Sequence, residues 1–289
     1  MFVITGATGK LGRLVTEALL RKVPPTEVAV AVRTPSKAAD LAVRGIEVRH
    51  LDYDQPETLA GVFHAGDRVL LISSSEVGKR AAQHLRVIEA AREAGVSLLA
   101  YTSVLRADMS RLALAAEHRV TEEAIRDSGV PYVFLRNGWY IENHTDQLEA
   151  ILARGVMIGA AGRGRHASAA RRDYADAAVA VLTATGQLQS IYELAGDRGF
   201  TLAEFAAEIT RQTGKKVEYS DLTPAEYRNA LVTSGVPGDI ADLLVDFDLA
   251  AARGDLEGAS DDLRRLIGRS PTSLREAIAN ALPVTAPAL

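Results

Sequence analysis

Phe2-Val3-Ile4-Thr5-Gly6-Ala7-Thr8-Gly9-Lys10-Leu11-Gly12 is the stretch from which the fold is read. Aromatic and β-branched residues run straight into three glycines at spacings of three, and residues 10–22 then carry the apolar periodicity of a helix. A glycine loop at a strand-to-helix junction can cradle an anion. Without Cβ atoms at Gly6 and Gly9 the backbone amides can approach a pyrophosphate, and Gly12 allows close helix packing. Taken alone, three glycines are also an ordinary tight turn. Their position at the opening of a β-α-β unit points instead to a dinucleotide held by Gly6, Ala7, Thr8, Gly9, Lys10, Leu11 and Gly12.

Outward from that loop, short runs rich in Val, Ile and Leu alternate with longer amphipathic stretches, the rhythm of a parallel sheet wrapped by helices. The spacing predicts strands at 2–5, 28–32, 47–51, 68–72, 98–102 and 132–135. It predicts helices over 10–22, 36–44, 56–63, 80–94 and 112–128, several ended by a glycine, as at Gly45, Gly95 and Gly129. Beyond Asn137 a helix is expected over 141–153, a short strand at 156–158, a basic loop at 162–172 and an alanine-rich helix at 174–185. A strand at 190–194, a helix at 202–213 and a strand at 216–219 follow, then helices at 224–233, 237–252 and 273–282. The reading is an α/β protein: a Rossmann doubly wound parallel sheet in 1–136 and a smaller, mostly helical C-terminal substrate lobe in 137–289. About 171–196 is expected to return to the first domain. No repeat or Gly/Ser linker separates the parts.

Composition narrows the function classes. The 289 residues hold 33 basic and 37 acidic side chains, a formal charge of −4, which argues against nucleic acid and anionic membrane as partners. The absence of cysteine removes thiolate chemistry, Cys-ligated zinc, iron–sulfur clusters and disulfides. No His, Asp and Glu cluster has metal-ligand spacing. Asp246-Phe247-Asp248 with Gly254 and Glu257 lacks the glycine spacing of a calcium loop, and Ala250 stands where a ligand would. No apolar run approaches a membrane span and no basic leader precedes the first strand, so a cytoplasmic protein is expected. A homodimer is compatible with the sequence, although nothing in it marks an interface.

Cofactor choice should be legible at the end of the second strand, where a carboxylate would bond a ribose 2′-hydroxyl and an arginine would meet a 2′-phosphate. Here Arg33 stands in that place, with Lys37 shortly after and no acid between them. Both could be solvated charges, yet cations at a helix start oppose its macrodipole unless an anion joins them, which favours NADP. Ligands of open α/β sheets lie beyond the carboxyl ends of the strands. That singles out Ser73, Ser74 and Ser75 after the fourth strand, Thr102 and Ser103 at the fifth and Asn137 at the sixth as further cofactor contacts. Turn chemistry alone would also place Ser, Thr and Asn there.

Thr5-Gly6-Ala7-Thr8-Gly9-Lys10-Leu11-Gly12, Ala31-Val32-Arg33, Leu71-Ile72-Ser73-Ser74-Ser75 and Phe134-Leu135-Arg136-Asn137-Gly138-Trp139-Tyr140 resemble the NmrA-like atypical short-chain dehydrogenases/reductases. Within them the chain is similar to bacterial NADPH-dependent quinone oxidoreductases of the second type, with a triphenylmethane-dye reductase as a near relative. The resemblance extends through Ile158-Gly159-Ala160-Ala161-Gly162, Arg172-Asp173-Tyr174-Ala175 and Tyr192-Glu193-Leu194-Ala195-Gly196-Asp197. It implies a Rossmann domain plus a small C-terminal substrate lobe, and the expected reaction is NADPH-dependent hydride transfer without flavin or metal.

Ordinary members of the wider superfamily use a Tyr four residues before a Lys as proton donor. None of the eight tyrosines here has a Lys at that spacing, and by register with the family Leu114 takes the Tyr place and His118 the Lys place. Leucine cannot protonate an alkoxide. One outcome is hydride transfer to a quinone-like small molecule, whose reduced anion is delocalised and accepts a proton from water or from a weak donor such as His118 or Tyr140. A cationic triarylmethane dye would need no proton at all. The other outcome is an NADP(H)-binding redox sensor without turnover. Trp139, Tyr140, Asn143 and His144 are expected to line a site for a flat substrate, with core packing of Trp139 and Tyr140 as the plainer alternative. His118 lies in a charged stretch that reads equally as a solvated helix face, and Arg163, Arg165, His166, Arg171 and Arg172 read as a mobile, solvated loop.

Overall fold

The computed structural model describes residues 1–258 and 260–282. Along the chain run β1 (Phe2–Thr5), α1 (Lys10–Leu20), β2 (Val28–Val32), α2 (Ala39–Val43), β3 (Glu47–His50), β4 (Arg68–Leu71), α3 (Arg80–Ala94), β5 (Leu98–Val104), α4 (Ala113–Asp127) and β6 (Tyr132–Asn137). There follow α5 (Glu142–Thr145), α6 (Leu148–Arg154), β7 (Val156–Gly159), α7 (Arg171–Thr183), β8 (Ile191–Leu194), α8 (Leu202–Thr213) and β9 (Glu218–Asp221). The chain closes with α9 (Pro224–Thr233), α10 (Gly238–Ala252), α11 (Asp262–Ile267) and α12 (Leu274–Ala281). Contacts divide it into two compact units. The first holds Met1–Asn137, Arg171–Leu194 and Asp262–Arg269; the second holds Gly138–Ala170, Ala195–Asp261 and the described residues from Ser270 onward.

The first unit is the doubly wound Rossmann sheet expected from the sequence. Its strands lie in the order β3-β2-β1-β4-β5-β6-β8, and every pair is parallel. The order reverses between β1 and β4, so the carboxyl ends of these strands border a crevice in which such sheets bind ligands. Strands covered on both faces must be apolar throughout, and β2 and β5 are buried at every residue. On one face Leu71, Leu99, Tyr101 and Phe134 pack with Val87, Ile88 and Ala91 of α3 and Ile125 of α4. On the other, α1 packs against the alanine-rich α7, where Ala175, Ala177 and Ala178 are buried and allow close approach.

In the second unit β7 pairs with β9 in parallel, and α8, α9 and α12 each start with a capping box, at Thr201/Glu204, Thr223/Glu226 and Ser273/Glu276. Ala160, Tyr227, Leu231 and Ala241 form a small core of their own.

Several expected elements change. Residues 56–63 form only a 3-10 turn at Pro56–Thr58, because the Thr58 hydroxyl donates to the Asp52 and Gln55 carbonyls and accepts the Asp52 amide, offering the backbone an alternative to a helix. The single helix at 141–153 is two, α5 and α6, broken after Asn143-His144-Thr145-Asp146, a run of weak helix formers. The stretch 162–172 is not a solvated loop: His166 to Ala170 are buried, and His166 exchanges both backbone hydrogen bonds with Phe200. Arg165 is drawn onto the Gly199 carbonyl and Glu204.

Candidate active site

Gly6 follows β1 at φ +60°, a left-handed conformation that strains any residue with a Cβ. Gly12 is more tightly constrained. A Cβ there would stand 2.3 Å from the Gly6 carbonyl oxygen and 2.6 Å from the Ala7 Cα, so the first turn of α1 packs on the loop itself rather than on the sheet. The N-cap is Gly9, which has no side chain to cap the helix, and the first turn carries no acid. Gly6, Gly9 and Lys10 are exposed, Thr8 half-buried, and Ala7, Leu11 and Gly12 buried beneath them. This geometry suits a phosphate at the positive end of α1.

Arg33 leaves the end of β2 exposed. No acid lies between Arg33 and Lys37 in the sequence, yet one reaches Arg33 in space: its Nη1 lies 3.0 Å from Glu76 Oε1, a carboxylate from the loop after β4 that the sequence alone does not bring close. Glu76 also accepts from Gln83 Nε2 at 3.3 Å. An ion pair this exposed is weak and can be exchanged for a better anion. Lys37 sits in the 3-10 turn Pro35–Ala38, and its carbonyl accepts from Arg13 Nη2 at 2.6 Å while Arg13 pairs with Asp40.

The loop of Ser73, Ser74 and Ser75 is tied on every side. Ile72 N–H donates to Thr5 Oγ1 at 3.1 Å, Ser73 N–H to Thr102 Oγ1 at 2.9 Å and Ser74 N–H to His84 Nε2 at 3.0 Å. Arg80 Nε donates to the Ser74 carbonyl at 2.6 Å, and its Nη1 pairs with Glu117 at 3.0 Å. An amide can only donate, so His84 Nε2 is the unprotonated nitrogen and Nδ1–H donates to Thr121 Oγ1 at 3.1 Å. Burial, reinforced by the Arg80 charge, lowers the His84 imidazole to about 3.

Thr102 therefore holds the loop with its hydroxyl. Ser103 points elsewhere: buried on the helix side of β5, its Oγ donates to Glu122 Oε1 at 2.7 Å, and Glu122 in turn holds Arg136 at 2.9 and 2.7 Å. The Ser103 hydroxyl faces α4, not the crevice. His118 is likewise corrected from a solvated helix face to a core position, 3% exposed with Nδ1 2.7 Å from Tyr101 Oη. Burial first, then the charges of Arg80 and His84, lowers it well below the usual histidine range, so it has no imidazolium proton to give near neutral pH. Asn137 is different. It is buried at the carboxyl end of β6, and its Oδ1 has no hydrogen-bond partner among the described residues.

In the second unit Trp139, Asn143 and His144 line one narrow slot of about 90 Å³ with Met157, Tyr227, Phe247 and Asp248. The Trp139 and Phe247 ring centroids are 3.7 Å apart. His144 is kept neutral by burial, meets His166 edge-on at 5.1 Å and has an Nε2 with no partner among the described residues. Tyr140 stands outside that lining, its backbone bridged to Ala169.

Residues 6–185 match the family described as NAD(P)H-binding. The chain belongs to that family. Quinone oxidoreductase 2 of Escherichia coli is 48% identical over 284 residues, 98% of this chain and 99% of that protein. The crystal structure of an E. coli NADPH-dependent quinone oxidoreductase complexed with NADPH superposes with a TM-score of 0.94 at 48% identity, covering 97% of this chain and 99% of that one. The Citrobacter sp. triphenylmethane reductase complexed with NADP(H) gives a TM-score of 0.94 at 39% identity over 98% of this chain and 100% of that one. The NmrA-like resemblance stands: an NmrA-like family domain-containing oxidoreductase of Aspergillus flavus is 28% identical over 97% of this chain and 94% of that protein.

Sequence reasoning missed His84, Arg80 and Glu117, which brace the serine loop, and Phe247 and Asp248, which complete the slot. For His84 and Arg80 the signal was a His and an Arg on the apolar face of α3, four residues apart; Glu117 lies on α4. For Phe247 and Asp248, about a hundred residues after Trp139, no local signal exists.

Proposed function

We propose that the chain is an NADPH-dependent oxidoreductase that transfers hydride directly to a quinone or a similar flat electrophile. The observation carrying this reading is the likeness to quinone oxidoreductase 2 over nearly the whole of both chains. The residues present fit the cofactor: α1 packs so closely on the Gly6 to Gly12 loop that a Cβ at Gly12 would strike the Gly6 carbonyl, and the orphaned Asn137 Oδ1 is a buried acceptor in want of a donor such as a carboxamide or a ribose hydroxyl.

In this reading Gly6 to Gly12 hold the pyrophosphate. Arg33 exchanges Glu76 for the 2′-phosphate, with Lys37 adding charge. Ser73, Ser74, Ser75 and Asn137 face the nicotinamide and its ribose, while Thr102, His84 and Arg80 fix the serine loop in place. When bound, the cofactor supplies the hydride. Trp139 offers a face on which a planar acceptor stacks, and Asn143 and His144 offer polar atoms to its carbonyl groups. Leu114 in place of a tyrosine leaves no phenol at that position to protonate an alkoxide, which suits acceptors whose reduced form is a stabilised anion. Positioning then supplies most of the acceleration.

A specific likeness favours a second acceptor class, cationic triarylmethane dyes, through the Citrobacter reductase at 39% identity. The test is NADPH oxidation by the purified chain with a small benzoquinone, with a triarylmethane dye, and with NADH in parallel. Saturable quinone turnover preferring NADPH supports the proposal. Tight NADPH binding without turnover of either acceptor would replace it with a redox-sensing role.

A further inference from the structure

Reduction of a quinone to a hydroquinone takes up one proton besides the hydride, and a dye carbocation takes up none. Near neutral pH the buried His118 and His144 carry no imidazolium proton. Asp248 of α10 lines the same slot as Trp139, Asn143 and His144. It is 6% exposed, and its Oδ2 accepts the Ala160 amide hydrogen at 2.7 Å. Gly159 makes room for it, since a Cβ there would stand 2.8 Å from that oxygen.

The groups facing Asp248 are the carboxylate of Asp221 and the phenol of Tyr219 from β9, and the phenol of Tyr227 from α9; His144 and Arg154 lie on the slot's other walls. Two of these groups, Tyr219 and Asp221, are engaged with each other. Tyr219 Oη donates to Asp221 Oδ1 at 2.8 Å and accepts the Ala161 amide, and Asp221 accepts the Gly162 amide. Burial raises the Asp248 carboxyl to about 6, against the pull of the Ala160 amide and with help from Asp221. A carboxyl so placed holds a proton in a useful range and keeps one oxygen anchored while the other is available for exchange.

We propose that Asp248, anchored by the Ala160 amide in the slot lined by Trp139, Asn143 and His144, donates the proton that a quinone oxygen acquires on reduction. The proposal rests on the quinone reading above. NADPH, when bound, would supply the hydride, whose hydrogen and two electrons become one O–H of the reduced quinone and leave NADP⁺. The O–H bond of the Asp248 carboxyl breaks, its proton forms the second O–H of the hydroquinone, and the carboxylate regains a proton from water before the next turnover.

The discriminating variant is Asp248→Asn, which keeps an acceptor for the Ala160 amide and has no acidic proton. The expected result is a fall of about tenfold or more in kcat/KM for benzoquinone, a smaller change for the dye, and NADPH affinity unchanged. In the wild type, quinone kcat/KM should fall as pH rises through about 6, and dye reduction should not follow that fall. Equal loss of both acceptors, or wild-type quinone kinetics in Asp248→Asn, overturns the assignment. The wild-type profile needs no variant, and a quinone rate level across pH 5 to 8 also overturns it. A wild type that reduces neither acceptor overturns the quinone reading and this proposal together.

Discussion

Around Ser74 nearly every polar atom has a partner: the amide meets His84, the carbonyl meets Arg80, and the neighbouring Ser73 amide meets Thr102. Around His144 the surroundings are rings, and both its Nε2 and the Nδ1 of His166 are buried without partners among the described residues. The first region is a fixed polar scaffold, the second an aromatic slot with unused hydrogen-bonding capacity. A scaffold of mutually engaged groups recognises one ligand and resists change, because each group removed strands another. A slot of rings is sequence-tolerant and accepts several flat shapes. On the proposed function, this difference is what would pair one cofactor with acceptors as unlike as a quinone and a dye.

The largest expected effect touches both regions. His84, His118, His144 and His166 are buried neutral, with His166 lowered to about 4 and His84 to about 3, burial being the first cause in each. The unfolded chain binds those protons from about pH 6.5 downward and the folded chain does not, so stability is full above that value and is lost as pH falls. At pH 5 each group costs about 2 kcal/mol. Urea unfolding at pH 8 and pH 5 should show uptake of more than one proton on unfolding, and equal stability at both would break the picture of two dry interiors. Next, Gly12→Ala strikes the scaffold alone: the new Cβ meets the Gly6 carbonyl at 2.3 Å, and overpacking of this kind costs about 2 kcal/mol. NADPH binding measured by calorimetry should be lost or reduced on the order of a hundredfold.

Arg33→Glu sharpens the comparison by ligand. Losing a charge-assisted contact to phosphate should weaken NADPH about thirtyfold and NADH little, as read from the two dissociation constants. Equal weakening would remove the 2′-phosphate from Arg33. The smallest effect is expected in the slot, where Trp139→Phe keeps an aromatic face against Phe247 and should change acceptor kcat/KM by about threefold. A loss as large as that of Arg33→Glu would make the slot a scaffold too.

The parts of this design that were legible in the sequence are those whose cause is local. Gly6, Gly9 and Gly12 are dictated by the backbone of a single turn, and the fully buried β2 and β5 show themselves as Val-Ala-Val-Ala-Val and Leu-Leu-Ala-Tyr-Thr-Ser-Val. Arg33 is legible because the end of a second strand has a defined place in this topology. What was not legible depends on distant partners. Glu76 reaches Arg33 across 43 positions and Asp248 reaches Ala160 across 88, so no periodicity announces either. Ser103 and His118 carry the residue types of a site, and only the register of β5 with α4 shows that both face Glu122 and Tyr101 instead. The segment 162–172 reads as basic and loose, whereas the exchange of hydrogen bonds between His166 and Phe200 buries it.

The most direct test of the central claim, hydride passing straight from NADPH to a flat acceptor, is a single-turnover comparison of ordinary and C4-deuterated NADPH with benzoquinone, with and without added flavin. The expected result is a rate slowed by the label and indifferent to flavin. A rate that ignores the label and appears only when flavin is supplied would contradict it.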